Sequence, residues 1–217
     1  MGDPSPPTYS QATIGDVVYV TGFGPFGPHV VNASQKAVEL LPSLGLQEEL
    51  NARIVTEILS VKYLEVKEKI SKRWTELKPK LVVHVGVAGT ADMLTLEQLA
   101  HNCGYERQDI DQCLPQGGHC CKDGPDEIKS GIDMNKISDI LNKSKDLKLP
   151  CAVSTDPGRF LCDYAYYTSL HEDSRRVVFI HVPTMNKYPI ETISASVAAA
   201  IKLMYQQVKE YDSQRNE

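Results

Sequence analysis

Short, nearly continuous apolar runs alternate along this chain with longer segments whose apolar positions recur at helical spacing. "DVVYVTGFG" (16–24) is β-branched and closes on glycines, as a buried strand does. "ASQKAVELLPSL" (33–44) reads as a helix with Ser34 as its N-cap, and "ARIVTEILSV" (52–61) as a second strand. In "YLEVKEKISKRWTELKP" (63–79), Leu64, Val66, Ile70, Trp74 and Leu77 share one side of a long amphipathic helix. "KLVVHVGVAGT" (80–90) is apolar throughout and ends in glycine, the mark of a strand covered on both faces. The Thr and Leu alternation of "DMLTLEQLAHN" (92–102) favours another strand, and residues 103–132 are irregular. Beyond them "MNKISDILNKSKDL" (134–147) is helical and "CAVSTD" (151–156) is a short strand. A helix follows from about Arg159, then the strand "RRVVFIHVPT" (175–184) and a closing helix, "IETISASVAAAIKLMYQQVKEY" (190–211).

Strands alternating with helices long enough to cross over a sheet predict an α/β fold. The expected form is a three-layer sandwich, with a largely parallel central sheet and helices on both faces. Neither a repeat nor an internal linker interrupts the pattern, so residues 16–217 are expected to form one domain behind a flexible tail at 1–15. That tail is rich in Pro, Ser and Thr and lacks the charged-then-apolar order of a signal peptide. With no apolar run near the ~20 residues of a membrane span, the expectation is a cytoplasmic protein without a membrane partner.

Composition narrows the function. The chain has 217 residues, with 28 acidic against 23 basic side chains and a net charge of −5, which excludes the basic footprint of a nucleic-acid binder. Six cysteines without a secretory signal are expected to be free thiols. Cys103, Cys113, Cys120 and Cys121 crowd together with His119, which raises zinc. Their spacing does not match paired C-x-x-C ligands, and adjacent cysteines seldom both bind one tetrahedral ion. No metal or other cofactor is therefore expected, with zinc as the minor alternative.

"GFGPFG" (22–27) matches G-x-G-x-x-G after a strand, yet a dinucleotide site is rejected. The helix begins several residues too late to meet a pyrophosphate, Pro25 removes an N–H from the loop, and no acidic residue ends the second strand. What remains is a glycine-bent loop carrying Phe23 and Phe26. Three residues elsewhere carry reactive groups. Glu97 is a carboxylate in an apolar strand, where it must be paired or exposed. His181 closes a buried strand, at the C-terminal strand end where α/β proteins place ligand crevices. Cys162, in "DPGRFLCDYAYYTSL" (156–170), follows a turn and falls in or near the first turn of a helix, whose N–H groups favour a thiolate. Each alone has a bland reading: surface carboxylate, structural histidine, packed thiol.

Together, "TGFGPFGPHVVNAS" (21–34), "GVAGTADMLTLEQLAHNCGY" (86–105) and "DPGRFLCDYAYYTSL…FIHVP" (156–183) resemble the pyroglutamyl-peptidase I family of cysteine peptidases, in its vertebrate type. The likeness runs from about Val17 to the closing helix. It implies a catalytic Glu/Cys/His triad at Glu97, Cys162 and His181, and substrates that are N-terminally pyroglutamylated peptides. It further implies that the pyroglutamyl ring lies against Phe23 and Phe26, with Asn32 nearby. Arg107 aligns loosely with an arginine that some bacterial members place near the oxyanion. Val87 stands where many bacterial members have glutamine, which removes one side-chain contact. Two rival readings are a phosphorylase on the same architecture, for which residues 21–34 lack basic groups, and a non-catalytic paralogue that binds peptides or protein partners. The sequence leaves the oligomeric state open.

Overall fold

The computed structural model describes residues 15–27 and 30–215; residues 1–14 of the expected tail lie outside them. The chain runs β1 (Val17–Phe23), α1 (Ala33–Leu40), α2 (Leu46–Leu50), β2 (Arg53–Leu59), α3 (Tyr63–Leu77) and β3 (Leu81–Val87). Next come β4 (Leu94–Glu97), β5 (Leu99–His101), β6 (Glu127–Lys129), α4 (Met134–Lys143) and β7 (Cys151–Ser154). It ends with α5 (Leu161–Asp173), β8 (Val177–Val182) and α6 (Ile190–Gln214). The main sheet has the order β2-β1-β3-β8-β4-β7, while β5 and β6 form a separate antiparallel pair.

Both faces of this sheet are covered, so its strands are apolar on both sides, as their continuous runs predict. On one face Val20, Val83, Leu96 and Ile180 pack with Val38 of α1, Ile137 of α4 and Ile201 of α6. On the other, Tyr19, Val82 and Phe179 pack with Ile70 of α3 and Tyr164 and Tyr166 of α5. The expected α/β layering is present. Helix α5 is buried nearly all round, from Tyr164 to Leu170, which makes it an interior element rather than an amphipathic cover.

The structure corrects four local expectations. The helix over 33–44 stops at Leu40, and a 3₁₀ turn containing Pro42 takes over. Its cap is Asn32, not Ser34: Asn32 accepts the Ser34 N–H at 2.9 Å. The helix expected from about Arg159 begins at Leu161, after an extended Phe160. The single strand expected over 92–102 is two strands in two sheets. Gln98 lies between them, its amide donating to the Ser130 and Ile132 carbonyls at 3.0 Å. These bonds draw the chain out of the main sheet. The sheet is mixed: β4 pairs antiparallel with β8, whereas the other neighbouring pairs are parallel.

Candidate active site

The reversal of β4 decides which side chains meet. Thr95 stands opposite His181, so Glu97, two residues on, is a diagonal neighbour of His181 on the same face. Glu97 Oε1 lies 2.8 Å from His181 Nδ1, and the carboxylate is only 2% exposed. Its other oxygen, Oε2, is buried with no hydrogen-bond partner among the described residues. The Tyr166 hydroxyl of α5 donates to the Glu97 carbonyl at 2.8 Å and ties that helix to β4.

Cys162 is the second residue of α5 and is half-buried. The turn before it is built by Asp156, which accepts the Gly158 N–H at 3.1 Å, with Gly158 in the left-handed region at φ 80°. No side chain caps α5, so its first-turn N–H groups present their partial positive charge to whatever anion forms there. Space for the sulfur comes from Gly86, whose register partner is His181. A Cβ at Gly86 would stand 2.9 Å from Cys162 Sγ and 2.7 Å from Phe179 Cζ. Only glycine fits.

His181 thus sits with Glu97 at one nitrogen and the Cys162 sulfur close by. Burial opposes a charge on the ring, but the negative charges of the thiolate and of Glu97 outweigh it and raise the imidazole to about 10. The ring thus stands beside a thiol in the first turn of a helix, with a carboxylate on its other side.

A cavity of about 620 Å³ opens over this pair. Phe26, Val87, Arg107 and Phe160 contribute to its wall, together with Cys162 and His181. Phe26 and Phe160 have ring centroids 6.1 Å apart, and the Arg107 guanidinium lies 4.2 Å over the Phe160 ring. Of the three expected ring-binding residues, Phe26 alone lines this cavity. Phe23 is buried against Phe179, with centroids 6.4 Å apart, and donates its N–H to Ser34 Oγ at 3.1 Å. Asn32 is fully buried; its amide donates to the Gly24 carbonyl at 3.0 Å while its oxygen caps α1. Both shape the loop from beneath. Phe160 was missed in the sequence, although an aromatic residue two positions before a thiol at a helix entry is a readable signal.

The remaining thiols have different surroundings. Cys120 is buried against Thr168 Oγ1 at 3.1 Å, and burial pushes it up to about 12. Cys103 and Cys113 are exposed. No group of three or more His, Cys, Asp or Glu side chains among the described residues is arranged to hold a metal ion.

An α/β sheet with a thiol at a helix start and a carboxylate-backed imidazole is an arrangement of the kind cysteine-type hydrolases use. The model of the pyroglutamyl peptidase family matches residues 16–209, and the chain belongs to that family. It is 38% identical over 200 residues to human pyroglutamyl-peptidase 1, covering 92% of this chain and 94% of that one. It is 30% identical to the pyrrolidone-carboxylate peptidase of Thermococcus onnurineus, covering 83% and 90%. Among solved structures, pyroglutamyl peptidase I of Bacillus amyloliquefaciens superposes with a TM-score of 0.77 at 26% identity, covering 88% of this chain and 97% of that one.

Proposed function

We propose that the protein removes N-terminal pyroglutamate from peptides by covalent catalysis through Cys162, His181 and Glu97. The observation that carries this reading is the 2.8 Å contact from Glu97 to His181 Nδ1, next to a thiol in the first turn of α5. With Nδ1 engaged, Nε2 is the ring nitrogen left to exchange a proton with sulfur.

The Cys162 thiolate attacks the carbonyl carbon that joins pyroglutamate to the next residue. The carbonyl π pair moves to oxygen, where the uncapped N–H groups of α5 and the Arg107 guanidinium can face the negative charge. Collapse breaks the C–N bond as His181 gives its proton to the leaving amine, and a thioester remains on Cys162. Water, losing a proton to the now neutral His181, attacks the thioester; pyroglutamate leaves and the thiolate–imidazolium pair is restored. Glu97 holds the ring in one tautomer and offsets its charge. The lactam ring is flat, uncharged and without a free amine, so aromatic faces suit it; Phe26 and Phe160 supply them, with Val87. The six cysteines are free, which fits a reducing, cytoplasmic setting.

A fluorogenic pyroglutamyl amide, assayed with and without a thiol-alkylating reagent, tests the reading. Turnover is expected under reducing conditions, with loss on alkylation and in Cys162→Ala, whose circular dichroism should match wild type. Turnover retained by Cys162→Ala would overturn the mechanism; no turnover by wild type would favour the paralogue reading.

A further inference from the structure

The residue after the nucleophile, Asp163, is a second carboxylate with no role in the steps above. It lies in the first turn of α5 and is fully buried. Its Oδ1 accepts the backbone N–H of His101, the last residue of β5, at 3.0 Å. Its Oδ2 is buried without a hydrogen-bond partner among the described residues, and so is His101 Nδ1. The two orphan atoms lie 3.4 Å apart.

Buried polar atoms without partners are rare in folded proteins and cost roughly 1–3 kcal/mol each. Two such atoms this close together are different, since one proton placed between them makes a hydrogen bond. Arg159, which lines the active cavity, reaches toward the same oxygen at 3.5 Å while holding Asp156 at 2.7 Å. On the far side, His101 Nε2 lies 3.5 Å from Glu127 of β6. Tyr105 donates its hydroxyl to the His101 carbonyl, and the Cys120 thiol, the Tyr166 hydroxyl and Glu97 complete the titratable surroundings.

We propose that Asp163 is a positioning residue for Cys162: its carboxylate fastens the first turn of α5 to the His101 backbone, and with the His101 ring it forms a proton-sharing pair whose charge sets the reactivity of the neighbouring thiol. The proposal rests on the assignment of Cys162 as nucleophile. A unit charge gained or lost on a fully buried side chain, one residue from a half-buried sulfur, changes the stability of a thiolate. Burial, the largest influence, raises Asp163 to about 7, and it lowers His101. The pair therefore changes charge near neutral pH.

The test is the pH dependence of Cys162 alkylation by iodoacetamide, followed by peptide mapping, beside kcat and KM for a pyroglutamyl amide. Asp163→Asn keeps an acceptor for the His101 N–H but cannot titrate. Wild type is expected to show an inflection between roughly pH 6 and 8 in alkylation. Asp163→Asn should lose that inflection and be alkylated at lower pH, with kcat changed about threefold or more and KM within about twofold. Profiles that superpose on wild type, or a change in KM alone, would overturn the proposal. If Asp163→Asn does not fold, His101→Gln keeps the backbone bond and the buried carboxylate but removes the ring that shares its proton, so the inflection must move in pH; an inflection unmoved from wild type would overturn the proposal. Alkylation needs no substrate, so wild type that fails to cleave the amide yet keeps the inflection would count against the peptidase reading and for the paired proton.

Discussion

Two buried histidines face the same side of the sheet, and their chemistry is opposite. His84 of β3 lies between two hydroxyls, Thr21 Oγ1 and Ser169 Oγ, each at 2.6 Å. His181 of β8 lies between a carboxylate and a thiol. Burial lowers His84 to about 3, because hydroxyls satisfy the ring without offsetting a charge. The same penalty acts on His181, yet its anionic neighbours raise it to about 10. Depth in the fold does not make a histidine functional; the charge of its partners does. His84 is held neutral and packs. His181 is held charged and can give a proton.

The comparison can be broken most directly at Glu97. Glu97→Gln removes the charge but keeps the size, so kcat is expected to fall by roughly 10²–10³, less than the ~10⁴ of the analogous change in a serine triad, because a thiol ionises more easily than a hydroxyl. KM should change little. The His181 imidazolium, raised in part by Glu97, then loses its proton at lower pH, and the alkaline limb of kcat moves toward acid. Kinetics across pH with circular dichroism check this; an unmoved limb would assign Glu97 to packing.

At His84 the expected effect is on stability. Its folded value near 3 lies below the ordinary histidine range, so its contribution is present above about pH 6.5 and is lost as pH falls toward 3. His84→Gln should cost about 1–3 kcal/mol at neutral pH through its two hydroxyl bonds. It should also flatten the fall of Tm with acid, and kcat should stay within about twofold. Calorimetry at several pH values measures both.

The smallest effect is expected at Cys121. Its sulfur lies 3.7 Å from His171 Nε2 at the far end of α5, so it too is a thiol beside an imidazole. His171 is exposed and bonds no carboxylate among the described residues. Cys121→Ser should leave kcat within about twofold, by direct assay. A larger loss would show that a thiol–imidazole contact matters here without a charged partner behind it.

Much of this was legible in the chain. The apolar runs marked the strands, and the turn at 156–158 placed Cys162 at a helix start because turn chemistry is local. His181 was readable as a strand-end residue. The pairing of Glu97 with His181 came only from the family resemblance and not from the residue pattern, since it depends on β4 running against β8, and strand direction is settled by contacts distant in sequence. The break at Gln98 was hidden likewise, because its partners lie some thirty residues away at Ser130 and Ile132. Asn32 entered through the family resemblance, and what its type could not reveal is its place in the fold: it is fully buried, capping α1 and holding the Gly24 carbonyl.

The reversed strand has one more effect. Because β4 enters against β8, Glu97 lies a residue pair further along the sheet than His181, in the wall of the same cavity. Dissolved ions reach the cavity mouth, where the side chain of Asp156, paired with Arg159, is 73% exposed. The Glu97 carboxylate, in the wall of the same cavity, is only 2% exposed. At 2.8 Å, well inside the roughly 8 Å screening length of physiological salt, the pull of Glu97 on the His181 ring is set by the protein, so the bias of that ring toward its charged form carries over from one solution to the next.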